Sequence, residues 1–416
     1  MDRLFKTYLV CILSAIAVCT LSAESGHMPF RGAWIATVAN IDWPSAEAVG
    51  DTQRQQEEMI FLLDSLHSIG INAIIFQVRP TADALYKSEY EPVSHWLTGK
   101  QGSWDNSQIP WDPLAWTIEQ AHDRGMEVHV WLNPYRVNLA KNDSSILAKD
   151  HLLRRFPDWF WCYNKQWYFD PGLDVTREWI CTIVQDIITR YDVQAIHMDD
   201  YFYPYPAGKK PLPDEATFTK YPRGFTDIKD WRRDNVNLAI KAISETIREC
   251  RTDVEFGISP FGVWRNASVD STGSKTQAGI TNYDDLYADI RLWIKEGWID
   301  YVLPQLYWEI GKKVADYEVL AHWWANEVRG TKCKLYIGMA PYRLIESSNP
   351  QILKSSNPSP WATGNEIKRQ MDLNRTIPEI TGECFYSAKP LLRNPRGVCD
   401  SIKATYKTDD FSLPWE

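Results

Sequence analysis

From Arg31 onward the chain repeats one unit: a short run rich in Val, Ile, Tyr, Phe or Trp, followed by a longer amphipathic stretch. Eight such runs occur, at Gly32–Val38, Ala73–Arg79, Glu127–Tyr135, Ala195–Phe202, Glu255–Phe261, Tyr301–Trp308, Lys334–Tyr342 and Glu383–Lys389. Short apolar runs bounded by turn residues are what buried parallel strands require. Between them apolar residues recur at three-and-four spacing, the mark of a helix with one buried face. Such faces are Met59, Leu62, Leu63, Leu66 and Ile69; Ile180, Ile183, Val184 and Ile187; Leu238, Ala242 and Ile243; and Leu286, Ile290, Trp293 and Ile294. Gly70 and Gly125 fall where helices should stop. Eight strand-then-helix units predict an α/β fold, a (β/α)8 TIM barrel, occupying residues 29–408 as one unit. A doubly wound open sheet would carry a Gly-rich turn after its first strand, where this chain has Ala39-Asn40-Ile41-Asp42-Trp43-Pro44.

Connections from helix to strand are tight, as at Ile69–Asn72 and Arg124–Glu127. Those leaving strands are long: Pro80–Trp111, Arg136–Leu173, Tyr203–Thr226, Gly262–Tyr283 and Arg343–Thr363. A barrel builds its active site from the loops at the C-terminal strand ends, so elaboration there points to a site there.

The fourth run reads His197-Met198-Asp199-Asp200-Tyr201-Phe202-Tyr203-Pro204. Alternation places His197, Asp199 and Tyr201 on one face and Asp200 on the other. Adjacent carboxylates at a strand end are costly to bury without a purpose. The bland role for Asp200 is an Asx-type cap on the following loop. On the sixth run Gln305, Tyr307 and Glu309 share a face, with Trp308 beside them, so a further carboxylate reaches the same rim. Glycosidic cleavage needs two carboxyl groups, one to protonate the leaving oxygen and one to act as nucleophile or to activate water. Separations of about 5–5.5 Å mean retention and about 6.5–9.5 Å inversion. Gln77 and Arg79, Asn133 and Tyr135, and Ser259 followed by Trp264 bring further candidate substrate-binding groups, Arg79 being equally suited to a buried ion pair with an aspartate.

The chain has 20 Trp and 20 Tyr, a heavy aromatic load whose flat faces suit sugar rings. Trp96, Trp104, Trp111, Trp159, Trp161 and Trp167 stand in the second and third long loops as candidate cleft walls. A net charge of −9 argues against a nucleic-acid partner. Arg3 and Lys6, an apolar Thr7–Leu21 and small Ala23 give residues 1–23 the order of a secretory signal peptide, and the apolar run is short for a membrane span. Export to the periplasm or outside follows; membrane anchoring would require lipidation of Cys19, which bulky Val18 disfavours. The remaining cysteines, from Cys162 to Cys399, are scattered without zinc spacing, leaving room for one or two disulfides or small core residues. No cofactor or metal is expected; a magnesium or calcium ion on Asp199 and Asp200 is the weaker alternative. Val269–Thr276 lacks the upstream Gly of a P-loop, and no G-x-S-x-G elbow occurs.

Arg31-Gly32-Ala33-Trp34-Ile35, Phe76-Gln77-Val78-Arg79-Pro80, His129-Val130-Trp131-Leu132-Asn133-Pro134-Tyr135, the Asp199 segment, Gly257-Ile258-Ser259-Pro260-Phe261-Gly262 and Pro304-Gln305-Leu306-Tyr307-Trp308 together resemble the bacterial glycosyl hydrolase-like family ten. The resemblance runs from about residue 29 to about residue 400. It implies a TIM-type barrel and, for members active in cell division, cleavage of peptidoglycan glycan strands stripped of their peptides. Through distant likeness to barrel glycosidases such as alpha-galactosidases it also implies Asp199 as nucleophile or stabilising carboxylate. Glu309 becomes the acid/base and Asp200 the reserve for either role. Two other readings stand beside hydrolysis of cell-wall glycan: a non-catalytic glycan-binding barrel, and a glycosidase for dietary or host polysaccharide.

Overall fold

A computed structural model describes residues 29–104, 109–139, 147–346 and 359–409. The expected signal peptide and Cys19 lie outside the described residues. Eight parallel strands close into a barrel: β1 (Phe30–Ile35), β2 (Ala73–Arg79), β3 (Glu127–Leu132), β6 (Ala195–Met198), β7 (Glu255–Ile258), β8 (Tyr301–Val302), β9 (Lys334–Met339) and β10 (Ile380–Phe385). Each pairs with its neighbour in sequence around the ring, and β1 closes on β10 through Phe30–Gly382 to Ala33–Phe385. The fold is the expected (β/α)8 TIM barrel. Two more strands, β4 (Phe160–Tyr163) and β5 (Gln166–Phe169), form an antiparallel hairpin in the loop after β3. Its turn residues Asn164 and Lys165 both have positive φ, as a tight two-residue hairpin turn demands. Sequence reading missed this hairpin.

Several strands stop earlier than their hydrophobic runs. β3, β6, β7, β8 and β9 end at Leu132, Met198, Ile258, Val302 and Met339, shortly before Pro134, Pro204, Pro260, Pro304 and Pro341. Proline has no N–H to give the ladder, so most of these stops sit one or two residues ahead of one. The last strand begins three residues before Glu383, and Ala388–Leu392 is helical. These early stops decide which side chains face the mouth, because past the last paired residue alternation no longer applies.

The helical faces fall largely where the periodicity puts them. Met59, Leu62, Leu63 and Leu66 of Thr52–Ser68 are buried, with Asp51 capping the helix by accepting from the Arg54 N–H. In Ile228–Cys250 the buried stripe is Val236, Ala239, Ile240, Ile243 and Ile247, so Leu238 and Ala242 flank it instead of forming it. Inside the barrel a second cluster holds Phe30, Trp34, Trp131, Tyr301 and Tyr336. Glycine makes room for these rings: a Cβ on Gly257 would lie 1.8 Å from Cζ of Tyr301. Cys333, Cys384 and Cys399 are buried thiols, not halves of disulfides. Among the described residues no helix is long and apolar enough to cross a membrane.

Candidate active site

At the C-terminal mouth a cavity of ≈ 220 Å³ is lined by Trp34, Val38, Ile41, Gln77, Trp131, Arg136, Asp199, Asp200, Tyr201, Ser259, Gln305, Tyr307 and Tyr386. Asp199 and Asp200, expected on opposite faces, both line it, because β6 has ended at Met198.

Asp199 is held by a relay that starts two strands away. The backbone N–H groups of Thr37 and Val38 donate to Gln77 Oε1, each at 2.9 Å, which fixes the orientation of that amide. Gln77 Nε2 then donates to Asn133 Oδ1 at 2.6 Å, and Asn133 Nδ2 donates to Asp199 Oδ2 at 2.6 Å. Trp131 Nε1 adds a donor to the same oxygen at 3.2 Å, and the Tyr201 N–H donates to Oδ1 at 3.3 Å. Asn133 is fully buried beneath the cavity and acts through Asp199. Arg136 donates to Asn133 Oδ1 at 2.9 Å and lies over the Tyr201 ring, so its charge sits beside the carboxylates.

Burial pushes the Asp199 carboxyl up to about 7, helped by the Asp200 charge and opposed by Arg136 and Asn133. Burial raises Asp200 as well, against hydrogen bonds from Tyr205 and Gln305. Two buried carboxyls this close titrate as a pair, the charge of one holding a proton on the other. The buried pair can therefore hold one proton between its two carboxyls.

The other candidates divide. Tyr201 is 38% exposed at the rim, and Ser259, Gln305 and Tyr307 line the cavity, Gln305 Nε2 donating to Ser259 O at 2.9 Å. Glu309 does not line it. Its carboxylate accepts from Lys312 Nζ and Trp361 Nε1, both at 3.0 Å. Burial would raise this group, but those hydrogen bonds hold it below the usual range, the opposite of what a proton donor needs. Pro304 ends β8 early, so the alternation that placed Glu309 beside Gln305 and Tyr307 fails by residue 309.

Arg79 is fully buried and forms a two-pronged ion pair with Glu91, at 2.7 and 2.6 Å, not with an aspartate. Its Nη1 donates to the carbonyls of Asn133 and Pro134 at 2.6 and 3.1 Å, supporting the β3 end from behind. Tyr135, past Pro134, is buried in the helix-side core. His197 is fully buried inside the barrel below the cavity. Trp308 packs edge-on against Phe261. Trp264 stacks on Trp323 and borders a separate cavity of ≈ 530 Å³ with Arg265, Asp289 and Arg291. That cavity is larger, yet its charged groups are largely paired with one another and it lies off the strand ends, so the smaller one is the candidate site.

None of the six loop tryptophans lines the carboxylate cavity. Trp111 is buried against Trp43 and Trp116, Trp161 against Tyr168 and Tyr203, and Trp159 stacks on Phe156. The aromatic surface at the site comes instead from Trp34, Trp131, Tyr201, Tyr307 and Tyr386, and Trp34, Trp131, Arg136, Tyr205 and Tyr386 were missed in the sequence. Among the described residues no group of three or more His, Cys, Asp or Glu side chains is placed to hold a metal ion.

A family model described as Glycosyl hydrolase-like 10 matches residues 29–354. The chain belongs to that family. Among curated members of similar sequence, Glycosyl hydrolase YngK of Bacillus subtilis is 44% identical over 411 residues, 99% of this chain and 77% of the relative. Glycosyl hydrolase DigH of Escherichia coli K12 is 39% identical over 381 residues, 88% of this chain and 84% of the relative. Among solved structures, the PgaB (BpsB) glycoside hydrolase domain from Bordetella bronchiseptica superposes with a TM-score of 0.54 at 11% identity, covering 91% of this chain and 99% of that one. Alpha-L-fucosidase isoenzyme 2 from Paenibacillus thiaminolyticus gives 0.53 at 13% identity, covering 92% and 49%. Both likenesses are of fold. Every strand of the barrel except β10 lies within the match to the Glycosyl hydrolase-like 10 model, as do Asp199 and Asp200.

Proposed function

We propose that this protein is an exported glycoside hydrolase acting on an extracytoplasmic polysaccharide, namely peptidoglycan glycan strands freed of peptides. The observation that carries the reading is the buried Asp199–Asp200 pair in the mouth cavity, where burial pushes the Asp199 carboxyl up. A site able to hold one proton between two carboxyls has both groups that glycosidic cleavage uses.

The hydrogen bonds suggest a division of roles. Asn133 and Trp131 meet Asp199 Oδ2 with N–H groups that can only donate, so Oδ2 is the accepting oxygen whether the group is ionised or protonated. With Oδ2 so held, Asp199 in its ionised form is the nucleophilic or charge-stabilising carboxylate. Asp200 is hydrogen-bonded to the Tyr205 hydroxyl, which donates to a carboxylate and accepts from a carboxylic acid. Asp200 is the other half of the pair: ionised, it accepts from Tyr205, and protonated, it serves as the proton carrier in place of Glu309. The cavity is small beside the ~300–1,000 Å³ of pockets that engulf a ligand. It fits one ring at the reacting position with the remaining strand lying across Tyr201 and Ile41.

The substrate follows the family resemblance, and export follows the pattern of residues 1–23. The test is a panel of peptide-free peptidoglycan strands, intact sacculi, chitooligosaccharides and host or dietary glycans, read by reducing-end release and mass spectrometry. The proposal expects cleavage of the peptide-free strands above all others. Release of reducing ends from no glycan would overturn it in favour of a binding protein; preference for a dietary or host glycan would overturn the substrate.

A further inference from the structure

A chain of side-chain hydrogen bonds runs inside the barrel from its N-terminal mouth to the floor of the candidate site. Glu127 Oε2 lies 3.3 Å from His129 Nε2, and His129 Nδ1 lies 2.9 Å from Tyr301 Oη. Tyr301 Oη lies 2.9 Å from His197 Nδ1, and His197 Nε2 lies 2.9 Å from Ser259 Oγ. The two histidines, Tyr301 and Ser259 are at most 2% exposed. Glu127, by contrast, opens into a cavity of ≈ 460 Å³ at the N-terminal mouth.

Trp34 sets the direction of this chain. Its indole Nε1–H, 3.4 Å from His197 Nε2, can only donate. His197 Nε2 therefore keeps its lone pair, and the ring proton sits on Nδ1, donating to Tyr301. The Tyr301 hydroxyl passes its hydrogen to His129 Nδ1, and His129 Nε2–H donates to the Glu127 carboxylate. At the other end the Ser259 hydroxyl shares the His197 Nε2 lone pair with Trp34, so lone pairs of Ser259 Oγ face the cavity. Every hydrogen points from cavity to mouth.

One proton taken up at the mouth end, on His129, inverts that order. His129 then donates from Nδ1 to Tyr301, Tyr301 donates to His197 Nδ1, and His197 donates from Nε2 to Ser259, the Trp34 N–H giving up its long 3.4 Å acceptor. Tyr301, His197 and Ser259 each keep a single hydrogen; the added one stays at the mouth, and the Ser259 hydrogen turns into the cavity. We propose that Glu127, His129, Tyr301 and His197 are positioning residues that hold Ser259 as an acceptor toward substrate, and that proton uptake at the far mouth switches it to a donor. The consequence for substrate rests on reading the Asp199 cavity as the reaction site; the coupling of the histidines does not.

The groups around the chain suit this order of events. His129 is faced by Phe30, Tyr301 and Tyr336, with Asp253, Glu255 and Lys334 at the mouth beside Glu127, whose carboxyl the His129 hydrogen bond holds below its usual range. His197 is faced by Trp34, Tyr301 and Ser259, with His129 beyond Tyr301. Burial, and then the proximity of His129, hold the His197 imidazole well below its usual range, so His197 itself stays neutral.

The test is side-chain ¹⁵N NMR of the full chain labelled at histidine. His197 should carry its proton on Nδ1 at high pH and move toward the Nε2–H tautomer with the same midpoint as His129 protonation. Glu127→Gln, at the open mouth, should displace both midpoints by the same number of pH units. Tyr301→Phe should leave His129 titrating while His197 stays fixed; where that variant fails to fold, Glu127→Gln decides alone. An Nε2–H His197 at high pH, or a tautomer indifferent to His129, overturns the proposal. The pH profile of kcat/KM on a cleaved glycan should carry an inflection at the same midpoint. Coupled histidines with no glycan cleaved would refute the hydrolase reading instead, and hydrolysis with uncoupled histidines would refute the switch alone.

Discussion

Replacing Asp199 by Asn should abolish hydrolysis and at the same time stabilise the protein above neutral pH. Asp199 is 4% exposed, and its carboxyl is pushed from the ordinary 3.8 to about 7 in the folded chain. A folded value above the unfolded one means that the native state prefers the protonated form. Stability is therefore full below about 4 and is lost as the pH rises from there through about 7. The shift is about 3 units at ~1.4 kcal/mol each, so ionised Asp199 costs about 4 kcal/mol, an upper bound because Asp200 shares the strain. Asn keeps the acceptor that Asn133 and Trp131 need while removing the charge. With an unfolding entropy of ~2 cal/mol/K per residue, a gain of up to about 4 kcal/mol raises Tm by up to roughly 5 °C in a chain of this size. Calorimetry of the wild type and Asp199→Asn at pH 4, 6 and 8 should show the Tm difference grow from near zero to that value. A difference that is constant with pH, or a variant less stable at pH 8, would refute the assignment of a strained buried carboxyl.

Other expectations follow from individual contacts. Glu309→Gln should keep hydrolysis within a few-fold of wild type in a reducing-end assay, since Glu309 is engaged by Lys312 and Trp361; a loss of ~10³ would restore it as the acid. Asn133→Ala removes the 2.6 Å donor from Asp199, so the Asp199 carboxyl should rise further and the pH–rate profile should move to higher pH, by kinetics from pH 5 to 9. Arg79→Met or Glu91→Leu alone should cost about 3–5 kcal/mol in chemical denaturation, and the double variant less than either, because each single change strands a buried charge. Gly257→Ala should fail to fold or lose several kcal/mol, the new Cβ falling inside the Tyr301 ring.

The barrel was legible because its signal is spread over eight apolar runs, and an error of a few residues in any one leaves the period intact. Side-chain direction is less forgiving. Gln77 lies in the stretch Ala73–Gln77 that pairs in unbroken register with β3, so alternation aims it correctly, whereas the register shifts before Arg79. Glu309 lies seven residues past the end of β8, and one proline in between is enough to turn it away. Asp200 gained its place at the cavity by the same effect, β6 ending two residues before it. Arg79 looked like a rim residue because its partner Glu91 stands twelve positions later in an irregular loop, where no periodicity marks the pair. The loop tryptophans misled for a related reason: the hairpin β4–β5 and the packing of Trp111 absorb rings that composition alone offers to a ligand.

The central claim is that Asp199 and Asp200 together cleave glycosidic bonds at the barrel mouth. The direct measurement is reducing-end release from peptide-free glycan strands by the wild type, Asp199→Asn and Asp200→Asn, each first shown to be folded. Cleavage by the wild type and a loss of at least ~10³ in kcat for each variant are expected. Full activity in either variant would contradict it.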